Sequence, residues 1–320
     1  MWRRFGGLLM FDDARIARLD FVTRMAGLLA AAICITAPLY THVTIDYTDT
    51  ELPLLCFVLM AAIAVVYGRW RGAPKIANAA ATTADLIGFA LVLGTISYLG
   101  VAMNRPSMAS GFAAADRAIG FDWMHYAPFV NAHPGLERLM WAAYSTMVPQ
   151  LGVLVLAFAL MGRQAWLRIL VDAFCLMALI AIFISWLLPA VDADVFFGTL
   201  VVDRKATGWS TPLVRVEHFL NLRDGYLTRI PVMDSTGLVT FPSFHTMCGV
   251  LFAVCFAQFR WLKWPMVVVN GLLIASTPVE GGHYGVDVLA GLTLATAVLW
   301  GIFAFVRVGQ TRQESALAAA

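Results

Sequence analysis

Two short polar segments contain residues whose types and spacing could perform chemistry. In PSFH, Ser243 and His245 stand at the start of an apolar run, and in GGHYGVD, His283 and Asp287 are four residues apart. That spacing places His283 and Asp287 on one face of a helix. A carboxylate there can accept one imidazole N–H, which leaves the other ring nitrogen as the better nucleophile. One histidine can then attack while the other protonates a leaving group.

The same segments offer groups that could hold an anion. Ser243 follows Pro242 at the position of a helix N-cap, and the free N–H groups of a helix N-terminus attract anions. Arg223 and Arg229, in NLRDGYLTRIP, carry planar guanidinium groups that match phosphate geometry. These residues together predict phosphoryl transfer through a phosphohistidine. Nothing in this set requires a metal ion, and no cofactor is expected.

Two other kinds of protein could carry these polar residues. A metal-dependent membrane hydrolase would use His245, His283 and Asp287 as ligands and would be sensitive to chelators. A transporter or channel would scatter polar residues at mid-membrane depth, whereas most apolar runs here are free of them. The remaining histidines are interpreted as packing or interfacial residues: His42, His125, His133 and His218.

Composition places the chain in a membrane. Hydrophobic residues make up 60% of it and charged residues 13%, against about 25% charged in soluble domains. The net charge of +2 does not indicate a nucleic-acid partner. The five cysteines all lie in apolar runs without a CxxC pair, so they predict buried hydrophobic side chains and neither disulfides nor a zinc site.

The predicted fold is an all-α integral membrane bundle of about eight spans. A span needs about 20 mostly apolar residues. The N-terminal segment, MWRRFGGLLMFDDARIARLDF, is predicted to form a short interfacial helix before the first span. The eight predicted spans cover roughly 25–44, 53–68, 82–103, 138–161, 166–188, 242–259, 263–278 and 284–307.

Basic residues orient the predicted bundle, because cytoplasmic loops accumulate Lys and Arg. With the N-terminus inside, the inside segments hold 14 of the 22 basic residues, and the short outside loop THVTIDYTDTEL has none. Both termini are therefore expected in the cytoplasm. Both polar segments are expected at the extracytoplasmic face, which in a bacterial inner membrane is the periplasmic one.

The polar segments resemble signatures of the type 2 phosphatidic-acid-phosphatase superfamily. The second signature reads PSxH, which PSFH matches, and the third reads SRxxxxxHxxxD, which Ser276, His283 and Asp287 match at the right spacing. The resemblance implies that His283 is the nucleophile, oriented by Asp287. It also implies that His245 is the general acid and that Ser243 helps to hold the phosphate.

The chain departs from the family pattern at its arginines. Thr277 replaces the arginine of the third signature, and the first signature, KxxxxxxRP, is present only roughly as RDGYLTRIP, with Arg223 and Arg229 near the expected basic positions. Loss of the third-signature arginine is similar to the branch that contains inositol phosphorylceramide synthase. DRAIGFDWMHY also looks like bacterial members of that branch.

The resemblance is strong over about 220–295 and weaker over about 105–160. It implies a six-helix core within residues 81–310, with an N-terminal segment and two accessory spans in 1–80. Residues 311–320 are read as a polar, Ala-rich tail.

The implied substrate is a membrane lipid phosphate or phosphoinositide. Water would complete a phosphatase, for example on phosphatidic acid or a polyprenyl phosphate. A lipid alcohol such as ceramide would complete a transferase, and the residues leave this choice open. Segment 104–137 is too polar to span and is predicted to lie in the interface, either roofing the site or packing at the membrane edge. Its aromatic residues are Phe112, Phe121, Trp123, Tyr126 and Phe129.

Overall fold

The protein is an all-α bundle, as the sequence predicts. The computed structural model describes residues 11–198, 211–233, 235 and 237–307. Long apolar runs fold this way because in lipid only a helix satisfies every backbone N–H and C=O within its own segment. The one sheet in the described residues is a short parallel pair, Thr44–Asp46 (β1) with Arg229–Pro231 (β2).

Thirteen α-helices lie within the described residues, and a single π turn extends the second of them. They are α1 (Asp13–Thr36), α2 (Glu51–Val65, with the π turn Val66–Trp70), α3 (Pro74–Ala102), α4 (Ala109–Ala118), α5 (Trp123–Asn131), α6 (Pro134–Ser145), α7 (Met147–Leu160), α8 (Gln164–Leu187), α9 (Ala193–Phe196), α10 (Thr211–Arg223), α11 (Phe244–Phe256), α12 (Lys263–Glu280) and α13 (Gly285–Val306).

Helices stand at all eight predicted spans. Five described helices, α1, α2, α3, α8 and α13, are long and apolar enough to cross a membrane, or six spans if the pair α6–α7, bent by 42°, counts as one. Helix α11 is apolar but has 13 residues, about 20 Å at 1.5 Å per residue. The number of crossings therefore stays a prediction, whereas the long apolar helices identify an integral membrane protein.

The first helix begins earlier than predicted. Asp12 caps α1 by accepting hydrogen bonds from the backbone N–H groups of Ala14 and Arg15. Residues 13–21 of the expected interfacial helix are therefore continuous with α1, and their position at the interface stays a prediction. Residues 1–10 of that prediction lie outside the described residues.

Both described ends of the chain lie at one end of the bundle. The Asp12 N–H donates to the Val306 carbonyl oxygen at 2.9 Å, and Phe11 pairs with Arg307. Helix α13 has 22 residues, so its first turn lies about 33 Å away along its axis. The polar residues around His283 therefore occupy the opposite end of the bundle from the described termini.

Segment 104–137 forms two short helices, α4 and α5, followed by the start of α6. Phe112 of α4 is buried and stacks on Phe241 with ring centroids 4.6 Å apart, while Trp123 of α5 is buried and stacks on Phe197. Phe129 is 51% exposed. Phe112 and Trp123 therefore pack into the protein whereas Phe129 is exposed, and Phe112 of α4 covers the loop that precedes Pro242.

Candidate active site

His283 is held in one orientation by two oxygen acceptors. Its Nδ1 lies 2.7 Å from the Thr240 carbonyl oxygen and 3.3 Å from Oδ2 of Asp287, and the residue is 4% exposed. A carbonyl and a carboxylate can only accept, so Nδ1 carries the hydrogen. The lone pair of the imidazole is then on Nε2. The carbonyl is the nearer partner, so Thr240 shares with Asp287 the orienting role that the family resemblance gives to the aspartate alone.

The turn before α13 depends on two glycines. Gly282 has a φ of +65°, and a Cβ on it would lie 2.8 Å from Cβ of Asp192. A Cβ on Gly281 would lie 2.7 Å from Cδ2 of His283. Asp287 completes the turn, since its Oδ2 also accepts from the Tyr284 N–H at 2.9 Å. The GGHYGVD sequence thus caps a helix and positions a histidine with the same carboxylate.

Asp116 of α4 fixes the N-terminus of α13 from outside. Its two carboxylate oxygens accept from the N–H groups of Gly285 at 2.9 Å and Val286 at 2.8 Å, and it is 2% exposed. Burial raises the pKa of the Asp116 carboxyl, and the two N–H donors oppose that shift. The free N–H groups in the first turn of α13 are therefore bound by the Asp116 carboxylate. Through this contact, segment 104–137 helps to position the turn that carries His283.

His245 lies in the first turn of α11 and stacks on a tyrosine of α6. The rings of His245 and Tyr144 are 4.2 Å apart and nearly parallel, and the tyrosine hydroxyl is 3.4 Å from Nδ1. Ser243 is fully buried, and its Oγ accepts from the backbone N–H of Thr246 at 3.3 Å and from the hydroxyl of Thr246 at 3.0 Å. Ser243 is therefore the N-cap that the sequence predicts, and it sets where His245 enters the helix.

Arg215 of α10 is anchored beside the histidine turn. Its Nε and Nη2 each lie 2.8 Å from Oδ2 of Asp192, and Nη2 donates to the Gly281 carbonyl at 3.1 Å. Thr240 donates through its hydroxyl to Oδ1 of Asp192, so the pair is tied to the loop that orients His283. Burial alone would lower the pKa of Arg215, but the Asp192 carboxylate raises it, so the guanidinium stays charged.

One cavity of about 230 Å³ brings the two histidines together. Its wall includes His245, His283, Arg215 and Tyr144. Two imidazoles, a guanidinium and a phenol thus face one space at the end of the bundle opposite the described termini. An imidazole nitrogen with its lone pair, a second imidazole and a fork of N–H donors around one cavity are the groups that attack on a phosphorus atom requires.

Comparison with known proteins agrees with this chemistry. A family model described as the PAP2 superfamily matches residues 110–301, which is more than half of the chain. The chain belongs to the PAP2 superfamily. No curated protein and no solved structure matches it.

Membership of the PAP2 superfamily supports a phosphatase-type activity on lipid phosphates in the membrane. The matched residues begin in α4 and end in α13, so they contain both histidines, Asp287, Arg215 and Asp116. Helices α1, α2 and α3 lie before the match. Within the described part of the chain, no group of three His, Cys, Asp or Glu side chains could hold a metal ion.

The two arginines proposed from the PAP2 signatures lie away from the cavity. Arg223 donates from Nη1 to the Arg105 carbonyl at 2.8 Å. Arg229 pairs with Asp46 at 3.1 Å, and its side chain is 69% exposed. Neither lines the cavity, whereas Arg215 does. A phosphate contact by Arg223 or Arg229 stays a prediction without a structural contact to support it.

Sequence reasoning did not single out Arg215, Asp192, Tyr144 or Asp116 in this PAP2 site. Spacing alone assigned no role to any of the four. Tyr144 lies in an apolar run, Arg215 lies among both apolar and charged residues, and Asp116 begins DRAIGFDWMHY, which contributed only to the family resemblance. The available signal was position, because Asp192 and Arg215 lie in the long segment between the fifth and sixth predicted spans, which leads directly into PSFH.

Proposed function

We propose that this protein is a lipid phosphatase or phosphotransferase that works through a phosphohistidine on His283. Nε2 of His283 attacks phosphorus, a P–N bond forms, and the P–O bond to the lipid alcohol breaks. Protonated His245 gives its proton to the departing alkoxide. Water or a second alcohol then attacks the phosphorus, His245 takes a proton from that nucleophile, and the P–N bond breaks to return free His283.

The observation that carries this proposal is the environment of His283. Thr240 and Asp287 hold its Nδ1 hydrogen, so Nε2 is the free nucleophile, and the cavity that it faces also contains His245. Asp287 further stabilises the imidazole when it gains positive character on bonding to phosphorus. We assign the positioning role to Thr240 and Asp287 together.

Arg215 is proposed to hold the phosphoryl oxygens. Thr277, which stands where the third signature has arginine, is fully buried, and its hydroxyl donates to the Ile274 carbonyl at 2.8 Å, so it has a packing role. Arg215 supplies a guanidinium at the cavity from another helix. Because Asp192 neutralises much of its charge, Arg215 would act chiefly through directed N–H donors.

Transfer to a lipid alcohol is the second candidate. The pattern PSFH followed by HYGVD, without the third-signature arginine, is similar to the inositol phosphorylceramide synthase branch. The donor would then be a phosphoinositide or another lipid phosphodiester and the acceptor a lipid alcohol such as ceramide. Incubation with lipid phosphates and phosphoinositides, with and without ceramide or diacylglycerol, separates the two reactions. Free phosphate indicates a phosphatase and a new lipid phosphodiester a transferase.

Rapid-quench labelling tests the covalent step. Wild-type protein mixed with a labelled lipid phosphate should yield an acid-labile, base-stable phosphoprotein, with the label on His283 by mass spectrometry. Arg215→Lys keeps the charge but loses the planar fork, and we expect it to slow labelling by about 10²-fold. Turnover without any phosphoprotein, or a label on another residue, would contradict the proposal.

The active site is proposed to face the extracytoplasmic side. The alternation of basic residues supports this orientation, as does the position of the site opposite both described ends of the chain. A cysteine at position 125, on the exposed surface near the site, should react with a membrane-impermeant reagent added outside intact cells. Labelling only after the cytoplasmic face is opened would reverse the topology.

A further inference from the structure

Helix α3 lies outside the residues that match the family, yet it forms part of the site wall. Leu93, Gly94 and Ser97 of α3 line the same cavity as His245 and His283. The matched residues begin only at 110. The space around the histidines is therefore completed by a helix that the family match does not include.

Helix α3 also holds the loop that orients the nucleophile. Oγ of Ser97 accepts from the Leu238 N–H at 2.9 Å, two residues before Thr240, whose carbonyl accepts from His283. A Cβ on Gly94 would lie 2.7 Å from the Ser235 carbonyl oxygen, so the loop rests directly on the helix backbone. Since Ser97 also donates to the Gly94 carbonyl at 2.6 Å, its hydroxyl is engaged within the wall.

Away from the histidines, the cavity wall is mostly apolar. It runs between α3, α7 and α8, where it is lined by Leu93, Met147, Ala178, Ala181 and Ile182. Leu93 lies nine residues before the end of α3, and Ala178 nine residues before the end of α8, about 13 Å along each helix axis. The cavity therefore extends from the reacting groups toward the interior of the bundle.

We propose that this apolar part of the cavity receives the hydrocarbon tail of the phosphorylated lipid and that α3 sets which tails fit. The proposal rests on the proposed function, because it needs a phosphate at His283. The occupant is the tail of the phosphate donor, since the apolar wall is continuous with the groups that would attack and hold that phosphate.

The expected effect is on selectivity. A tail that leaves the bilayer for this cavity exchanges one apolar environment for another, so it gains little from the hydrophobic effect. What remains is the fit between tail and wall, where a misplaced or missing methylene changes the specificity ratio by about tenfold or more. Two small residues, Ala178 and Ala181, leave the space, and Leu93 bounds it from α3.

The test compares kcat/KM for short-chain and long-chain phosphatidic acids and for a tail-less aryl phosphate. Ala181→Phe fills the cavity, and we expect about a tenfold loss on the long-chain lipid with little change on the aryl phosphate. Leu93→Ala widens it from α3 and should shift the preference toward bulkier tails. Ala62→Phe, on the exposed surface of α2, makes the same small-to-large change outside the cavity and should alter nothing.

Several outcomes would overturn the proposal. An equal loss of kcat/KM on all three substrates would show that Ala181→Phe damages the catalytic groups and does not block the tail. An unchanged preference between tails in Leu93→Ala would show that α3 does not set which tails fit. A chain-length effect that follows only the acceptor alcohol in a transfer assay would assign the cavity to the acceptor. If wild-type protein neither releases phosphate nor forms a new lipid phosphodiester with any substrate, the proposed function itself fails. If wild-type protein is active but the tail preference is unchanged in both variants, only the tail proposal fails.

Discussion

Among the described residues, one group of charged and polar side chains near each end of the bundle can be compared, and the two groups are built differently. The open group, His245, His283, Asp287, Arg215 and Asp192, surrounds a cavity. The closed group consists of Asp20 and Arg24 on α1, Asp85 on α3 and Arg168 on α8, and it lies toward the end that holds the described termini.

In the closed group, the charges pair with one another. Nη1 of Arg168 lies 2.9 Å from Asp20 and 3.1 Å from Asp85. Arg24 contacts Asp85 through two nitrogens, at 3.0 and 2.9 Å, and Asp20 at 3.3 Å. Two positive and two negative side chains thus tie α1, α3 and α8 together, and charges inside an apolar bundle are tolerated when they are paired in this way.

In the open group, the geometry leaves one hydrogen-bonding position of His283 directed at the cavity. His283 uses one ring nitrogen for its two acceptors and has the other left for a ligand. The comparison indicates that charge in this membrane protein has two uses. Mutual pairing ties helices α1, α3 and α8 together, whereas groups that are fixed on one side and face the cavity on the other are placed to react. Changes in the open group should therefore affect turnover, and changes in the closed group should affect stability.

Replacing the proposed nucleophile should have the largest effect. We expect His283→Gln to lower phosphate release by at least about 10³-fold, because no other group at the cavity replaces an imidazole lone pair held by Thr240 and Asp287. Its thermal unfolding in detergent should stay near that of the wild type. His133→Gln, at an exposed position, is the matched control. Wild-type turnover by purified His283→Gln would rule out the mechanism.

Breaking the closed group should give the opposite result. Arg168→Met removes one of the two arginines that Asp20 and Asp85 share and leaves only Arg24 to pair with both, and we expect a loss of about 3 kcal/mol in the free energy of unfolding. Turnover per folded molecule should not change. The double variant Asp20→Leu with Arg168→Met keeps the Arg24–Asp85 pair and should recover part of the stability. A large fall in turnover without destabilisation would mean that the closed group takes part in function.

Weakening the hydrogen bonds from Asp116 to the start of α13 should have the smallest effect. Asp116→Asn places an amide NH₂ against one of the two N–H donors of α13. We expect the capping interaction to weaken by about 1 kcal/mol, and if all of this loss reaches the transition state, kcat falls by about fivefold. KM should change little, because Asp116 supports the helix from outside the cavity. Asp122→Asn, which alters the N-cap of α5, is the control. A change in KM alone would indicate a ligand contact instead.

The helical architecture and the positions of the two cavity histidines at helix starts could be predicted from the sequence because both depend on local patterns. Apolar runs of about 20 residues predict the helices, and the four-residue spacing of His283 and Asp287 survives in the structure as a contact of 3.3 Å. The N-cap role of Ser243 was likewise readable from PSFH. The start of α1 was not, because charged residues at its first turns resemble an interfacial segment.

The arginine that lines the cavity could not be identified from a local sequence pattern. Arg223 and Arg229 stand closer to the family signature in sequence, but the cavity is lined by Arg215. Which arginine reaches the histidines depends on how α10 packs against the Gly281–Gly282 turn and on Asp192, which is more than 80 residues from Asp287 along the chain.

The sequence by itself determined an all-α membrane protein with a His–Asp pair at the start of one helix and a second histidine at the start of another, because hydrophobic length and helical spacing act within a few turns. Only the tertiary structure decided that Thr240 orients His283, that Asp116 clamps α13, and that α3 lines the cavity. Those contacts join residues between 43 and about 190 positions apart, and packing of whole helices, rather than any local preference, brings them together.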